Sequence, residues 1–374
     1  MGGSSFGKQF CITTWGESHG KAIGVVVDGC PAGLPLSEED IQKYLDRRKP
    51  GQSQFTTARK ESDKAQILSG TFEGKTTGTP ISILIPNEDQ RSRDYSKIAE
   101  SYRPGHADFC FDEKYGFRDY RGGGRSSGRE TAARVAAGAI AAKLLSEVGI
   151  EVHAYTKAIG GIWAKGVDLA VAKENALYMP DAEAAKATSE YLDQCMQEKD
   201  SAGGVVEVVA IGLPTGLGSP VFDKLDARLS QALMSIGAVK AVEVGDGIAV
   251  SAMKGSENND GFFSTRASSR EEEDYKIVKT SNHSGGILGG ISDGGELLLR
   301  AYIKPTPSIA QPQETVNRQG ENISFTIEGR HDPVIVPRAV VVAECMTALV
   351  LADALLENMT SRMDAVKEYY WKKR

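Results

Sequence analysis

Apolar positions along the chain fall into short β-branched runs and longer alanine- and leucine-rich stretches, which predict strands and helices respectively. Ala22–Asp28, Ile81–Ile85, Val205–Ile211 and Leu297–Ile303 read as strands, and Ala241–Ser251 is strand-like. Ser37 predicts a helix N-cap, with Glu38, Glu39 and Asp40 in the first turn of a helix reaching Arg48. Ser127-x-x-Glu130 reads as a capping box opening an alanine-rich helix to about Val148, which Gly149 stops. A further helix is expected over Lys224–Ser235. A last one runs from about Arg338 to Glu357, apolar on most faces and therefore central. From about Gly255 to Gly295 the pattern weakens into glycine, serine and charge, and the run Arg270-Glu271-Glu272-Glu273-Asp274 reads as solvated surface.

Strands and helices mix without a regular βαβ period, which predicts an α+β protein. No linker divides the sequence, so residues 1–374 read as a single large domain with long functional loops. Arginine-rich loops precede both apolar helices, near 121–127 and 330–338, a faint sign of two-fold internal similarity. The longest apolar stretch, Ala339 to Ala352, is interrupted by Glu344 and suits a buried helix better than a membrane span. The N-terminus shows no secretory pattern, and Phe6 spoils a myristoylation motif.

Composition changes this picture in one respect. The 374 residues include 41 glycines, above the usual ~7%, but only 14 prolines. Such a surplus without a collagen period points to ligand-binding loops that need positive φ or close backbone approach. Five scattered cysteines without a CxxC favour a reducing cytoplasm and give no metal-ligand spacing, so no metal is expected. The net charge is −6, yet Arg118, Arg121, Arg125, Arg129 and Arg134 crowd together, opposed nearby only by Asp119 and Glu130. That distribution argues against broad nucleic-acid binding and for a compact anionic ligand.

Candidate chemistry lies in the loops. Four of the five histidines sit beside glycine or proline: His19, His106, His283 and His331. Only His153 falls in a strand pattern, where a structural role is expected. Loop histidines are the usual proton carriers near neutral pH, although each alone is as readily structural. Arg121-Gly122-Gly123-Gly124-Arg125-Ser126-Ser127-Gly128-Arg129 joins glycines, guanidinium groups and hydroxyls to a helix N-terminus, which makes an anion site. It is neither a Walker A loop nor a Rossmann fingerprint. Lys304-Pro305-Thr306-Pro307-Ser308 suits a phosphate, or else an ordinary proline turn. Asp332, beside Arg330 and His331, suits a base, or else a charge-satisfied helix entry.

Several of these motifs stand in the order and spacing of one family. Gly16-Glu17-Ser18-His19-Gly20, Pro31–Leu36, Arg103–Asp108, Gly122–Gly138, Gly285–Ile291 and Gly329–Asp353 resemble the chorismate synthase family over the full length. The resemblance implies a β–α–β sandwich, a homotetramer, and reduced FMN as cofactor from an external source. The implied reaction is 1,4-elimination of phosphate from 5-enolpyruvylshikimate-3-phosphate, with no nucleic-acid or membrane partner. It implies His19, His106 and Asp332 as catalytic groups. Arg125, Ser126, Ser127, Gly237, Ala238, Gly289, Lys304, Pro305, Thr306, Pro307, Ser308 and Arg330 match flavin-binding positions. Ser18, Arg48, Arg59, Arg129 and Arg134 are the candidates for the substrate. Two positions depart from the family: Gln54 stands where arginine is frequent, and Gly237 where asparagine is common. The competing functions are a flavoprotein oxidoreductase with net hydride transfer and a non-enzymatic RNA- or anion-binding module. Against the latter, aromatic content is only 7%.

Overall fold

A computed structural model of the chain describes residues 2–56, 61–88, 99–266, 275–327 and 332–371. The acidic run at 270–274 lies outside them. Two antiparallel five-stranded sheets enclose a layer of helices. The first sheet has the order Ser5–Phe6, Cys11–Gly16, Ala22–Asp28, Ile81–Pro86, Gln66–Ile67. The second has the order Val239–Val244, Leu297–Ile303, Gly204–Ile211, Glu151–Ile159, Ile162–Trp163. Alternate residues of each strand face the helices, as Ile81, Ile83 and Ile85 do, and this period of two makes each sheet one-sided.

The faint repeat in the sequence corresponds to a repeat in topology. With the edge strands Ser5–Phe6 and Ile162–Trp163 and the inserted hairpins and helices set aside, each half runs strand, strand, helix, strand, strand, helix. In both halves the first, second, fourth and third strands lie side by side. The closing helices, Thr131–Ser146 and Val336–Asn358, form the middle of the sandwich and pack on each other. Glu38–Arg48 lies against both, and Leu225–Met234 against the second. One continuous apolar cluster joins both sheets to these helices, so the fold is an α+β sandwich of β, α and β layers.

Two details explain the helix layer. Gly138 lies where the two central helices cross, and a side chain there would overlap the backbone and side chain of Cys345. Alanines fill most of the remaining contact face of Thr131–Ser146, which lets the helices approach closely. Glu344, the charge inside the apolar run, is buried but takes a bidentate pair from Arg47 at 2.8 and 2.7 Å. The helix Val336–Asn358 is long and apolar enough to cross a membrane, and here it is buried in the sandwich.

Several sequence expectations need correction. The helix expected from Ser127 begins as a 3-10 turn, Gly128–Glu130, and becomes α-helical at Thr131. Ser127 Oγ accepts from the Arg129 N–H, while the Glu130 carboxylate turns to Arg134, so no reciprocal capping box forms. The strand expected over 241–251 ends at Val244 and passes into a 3-10 turn from Gly247. The weakly patterned stretch holds the hairpin Phe262–Arg266 with Tyr275–Lys279 and the short pair Ile287–Leu288 with Ile291–Ser292. Helix Ala182–Gln197 and hairpin Pro312–Val316 with Asn322–Thr326 had no clear sequence signal.

Candidate active site

The N-terminal ends of the two central helices gather loops from the whole length of the chain. Hydrogen bonds join those loops into a circuit. Arg125 donates to the carbonyls of Gly16 and Thr14, which fixes the turn bearing Ser18 and His19. Asn87 spans the same turn through the carbonyls of Glu17 and Gly20, and accepts from Arg129 at 2.9 Å. Arg129 and Arg48 share Asp63, and Arg338 donates to both the Arg48 carbonyl and Asp332. Pro333 accepts from the Ala202 N–H, Ser201 donates to the Thr306 carbonyl, and Lys304 donates to the Gly105 carbonyl at 2.8 Å beside His106. Arg134 reaches Ser235, and the Lys304 N–H meets the Ala238 carbonyl. Ser18, His19, Arg48, His106, Arg125, Ser126, Ser127, Arg129, Arg134, Gly237, Ala238, Lys304 to Ser308 and Asp332 are thus brought into one region.

A cleft of about 440 Å³ opens within it, lined by His106, Asp108, Gly122 to Gly124, Arg125, Phe111 and Phe117 among others. A depression of about 500 Å³ on the outer side of the second sheet, beside Trp163, Tyr191 and Tyr302, touches the region through Ser201, Ala202, Lys304 and Pro305. It contains no histidine or arginine. The histidine-bearing cleft is the better reaction site.

The arginine cluster is not open in the way the sequence implied. Asp63, Glu61 and Asp112, remote in sequence or overlooked in it, join Asp119 and Glu130 as partners. Arg48 is fully buried and held by Asp63 at 2.5 Å; Arg129 takes the other oxygen of that carboxylate and approaches Glu61. Arg118 pairs with Asp112, Arg121 with Asp119, and Arg134 with Glu130. Burial would raise the Asp63 carboxyl, but the two guanidinium groups outweigh it and hold it below the usual carboxylate range. Two cations differ. Among the described residues Arg125 and Lys304 have only neutral oxygen partners, so each retains its charge at the site. The Thr306 hydroxyl nearby is buried without a hydrogen-bond partner. Uncompensated positive charge with an unused polar group is the electrostatic signature of an anion site.

The histidines are positioned differently. His19 Nδ1 lies 3.1 Å from Ser18 Oγ, and a side chain at Gly122 would overlap its imidazole. His106 Nδ1 lies 2.9 Å from Asp108, whose carboxylate also takes a fork from Arg103 at 2.7 Å on each oxygen. His283 instead pairs with Asp246 at 2.6 Å, and His153 with Glu151 in its strand. Neither lines the cleft, and His19 borders it only through its neighbours Glu17 and Gly20, which leaves His106 as the histidine among its lining residues.

Some expected site residues are not gathered here. Gly289 sits beside Gly290, whose carbonyl caps Leu225, at the opposite end of helix Leu225–Met234 from Ser235. Arg59, Arg330 and His331 lie outside the described residues. Gln54 turns outward to Asp193 at 3.4 Å. Asp63 has no signature in the sequence: it adopts a positive φ of 50° and is completely buried. Asp108 was legible in principle, two residues beyond His106 in the same loop.

Known proteins resemble this chain in sequence and in fold. The chorismate synthase family model matches residues 10–356. Chorismate synthases of Lachnoclostridium phytofermentans and Agathobacter rectalis are 62% and 60% identical, with full coverage of both chains. That of Methanocella arvoryzae is 56% identical over 96% of this chain and 95% of its own. A crystal structure of chorismate synthase superposes with a TM-score of 0.75 at 34% identity, covering 98% of each chain. Fold and sequence therefore agree, and the chain belongs to the chorismate synthase family.

Proposed function

We propose that the protein eliminates phosphate and one ring hydrogen from 5-enolpyruvylshikimate-3-phosphate, forming the second ring double bond of chorismate, with reduced FMN bound beside the substrate. The observation that carries this reading is Arg125, which lines a histidine-bearing cleft among glycine-rich loops and, among the described residues, meets only neutral oxygens, with Lys304 bound to the Gly105 carbonyl beside His106. Flavin and substrate are both phosphorylated, and guanidinium and ammonium groups stabilise such anions most where no carboxylate competes.

The residues present fit a flavin. The unused Thr306 hydroxyl, Lys304, Arg125 and the Ser126–Ser127 turn would hold its phosphate and edge, and the backbone at Gly237 and Ala238 would meet the ring. When bound, the reduced cofactor supplies electron density that assists departure of the phosphate without net redox change. His106 holds a proton for the leaving phosphate, and His19 holds one near the flavin. Asp332, positioned by Arg338, takes part in removing the ring hydrogen. Arg48, Arg129 and Arg134, already fixed by carboxylates, shape the substrate pocket; Ser18 and Arg59 complete the candidate set. A cytoplasmic homotetramer fed with flavin by another enzyme is the setting this reading entails.

Anaerobic phosphate release from 5-enolpyruvylshikimate-3-phosphate, with and without reduced FMN, tests the proposal. Release only with reduced flavin is expected, and His19→Ala, His106→Ala and Asp332→Asn should each lose most turnover while still binding flavin. Consumption of pyridine nucleotide matched to product would instead identify an oxidoreductase, and neither activity would favour a binding protein.

A further inference from the structure

We infer that Asp108 is a positioning residue for His106: it accepts the Nδ1 proton and presents Nε2 of the ring to the cleft. The inference rests on the proton-donating role proposed for His106, but its geometry stands independently. Asp108 Oδ1 lies 2.9 Å from His106 Nδ1, within hydrogen-bond reach, and Asp108 is 3% exposed. The carboxylate cannot turn away. Arg103 clamps it through Nε and a terminal nitrogen, both at 2.7 Å, and the Arg103 N–H adds a third bond at 3.2 Å. Burial alone would raise the Asp108 carboxyl, but hydrogen bonds from Arg103 and His106 hold it well below the usual carboxylate range. It is therefore ionised and can only accept.

The same arrangement decides the tautomer. The terminal nitrogen of Arg103 that bonds Asp108 Oδ1 also lies 3.1 Å from His106 Nδ1 and is aligned to hydrogen-bond it, while Asp108 meets the same ring nitrogen as an ion-pair contact. A guanidinium is only a donor, so the two contacts compete for that nitrogen. An ionised carboxylate at 2.9 Å favours Nδ1–H, which leaves Nε2 as the exchanging atom. The other charged groups around the ring balance: Arg118 lies 3.9 Å from the Asp108 carboxylate and is itself paired to Asp112 at 2.6 Å. The Lys304 ammonium donates to the Gly105 carbonyl next in the chain, so the loop carrying His106 is pinned at both ends. Without Asp108 the ring would keep its place but lose its preferred tautomer and its orientation.

The test joins a spectroscopic readout to a double-mutant cycle. With only five histidines, the ring nitrogens of the full-length protein can be resolved by 15N NMR, using His106→Ala to assign the signal. Wild type should show neutral His106 in the Nδ1–H form, and Asp108→Asn should shift it toward Nε2–H. Asp108→Asn should lower kcat about tenfold to a hundredfold with KM and reduced-FMN affinity within about twofold, as for ligands of catalytic histidines. In a His106→Ala background the same substitution should change kcat by less than about twofold, since coupled residues are not additive. Asp108→Glu should recover part of the lost rate. Unchanged tautomer in Asp108→Asn, or a full additive loss in the His106→Ala background, would overturn the inference. If wild type releases no phosphate, the reaction reading fails, and the NMR result still decides the pair. Should Asp108→Asn fail to fold, Arg103→Lys, which weakens the clamp and leaves the carboxylate, must still show the Nδ1–H form.

Discussion

At the scale of residues, the site is decided by which charges remain uncompensated. Most arginines of the cluster are already bound by carboxylates, so losing one would unbalance the site more than it would unbind a ligand. Arg125 and Lys304 are the exceptions, and each should matter directly to anion affinity. Arg125→Ala or Lys304→Ala is expected to weaken reduced-FMN binding about tenfold to a hundredfold, as loss of a charge-assisted hydrogen bond would, measured by anaerobic titration. Glycines separate in the same way. Gly122→Ala places a methyl group against the His19 imidazole and should cost turnover while flavin binding persists. Gly237 has open space where its side chain would be, so Gly237→Asn should leave melting temperature and flavin affinity unchanged. The family departure at this position is therefore a tolerated one.

Elements transmit these details because the functional loops hang from the ends of two crossing helices. The crossing depends on Gly138 against Cys345, with alanines around it. Gly138→Val should destabilise by ~3 kcal/mol or more, since neither backbone can yield without separating the sheets, and urea unfolding would measure it. The ion cluster at the helix ends carries a different cost. Asp63→Asn leaves Arg48 and Arg129 buried without their shared carboxylate, a loss of ~3–5 kcal/mol in urea unfolding. The sign of the pH effect follows. A carboxyl whose folded pKa is depressed adds stability above its unfolded value, near 4, and loses it as pH falls. Thermal unfolding of wild type should therefore weaken below about pH 4 more steeply than that of Asp63→Asn.

For the molecule as a whole, the repeat explains why the site is assembled from so many segments. Each half ends in a core helix whose N-terminus follows a glycine- or proline-bearing loop, and the packing of those helices brings both loop sets together. The residues of one site therefore come from positions as far apart as 18 and 332. Arg338 bonding to the Arg48 carbonyl joins the halves directly. Among the described candidates, Gly289 at the far end of helix Leu225–Met234 stands away from the rest within one chain.

Much of this was legible in the sequence, for identifiable reasons. Ala22–Asp28 and Leu297–Ile303 were readable to the residue because each is a short apolar run of strand length closed by a turn or proline signal. The apolar helix at 336–358 announced its burial by composition, and motifs such as those around His19, His106 and Gly122–Gly138 carried the family. The sequence by itself thus determined the element types, the two-fold plan in outline and the chemistry of the loops. Tertiary structure decided which charges survive. Asp63 and Asp108 quench or orient particular groups, and Arg125 and Lys304 remain uncompensated. Pairing between residues tens or hundreds of positions apart depends on where helices cross and loops return, and no local period records that distance.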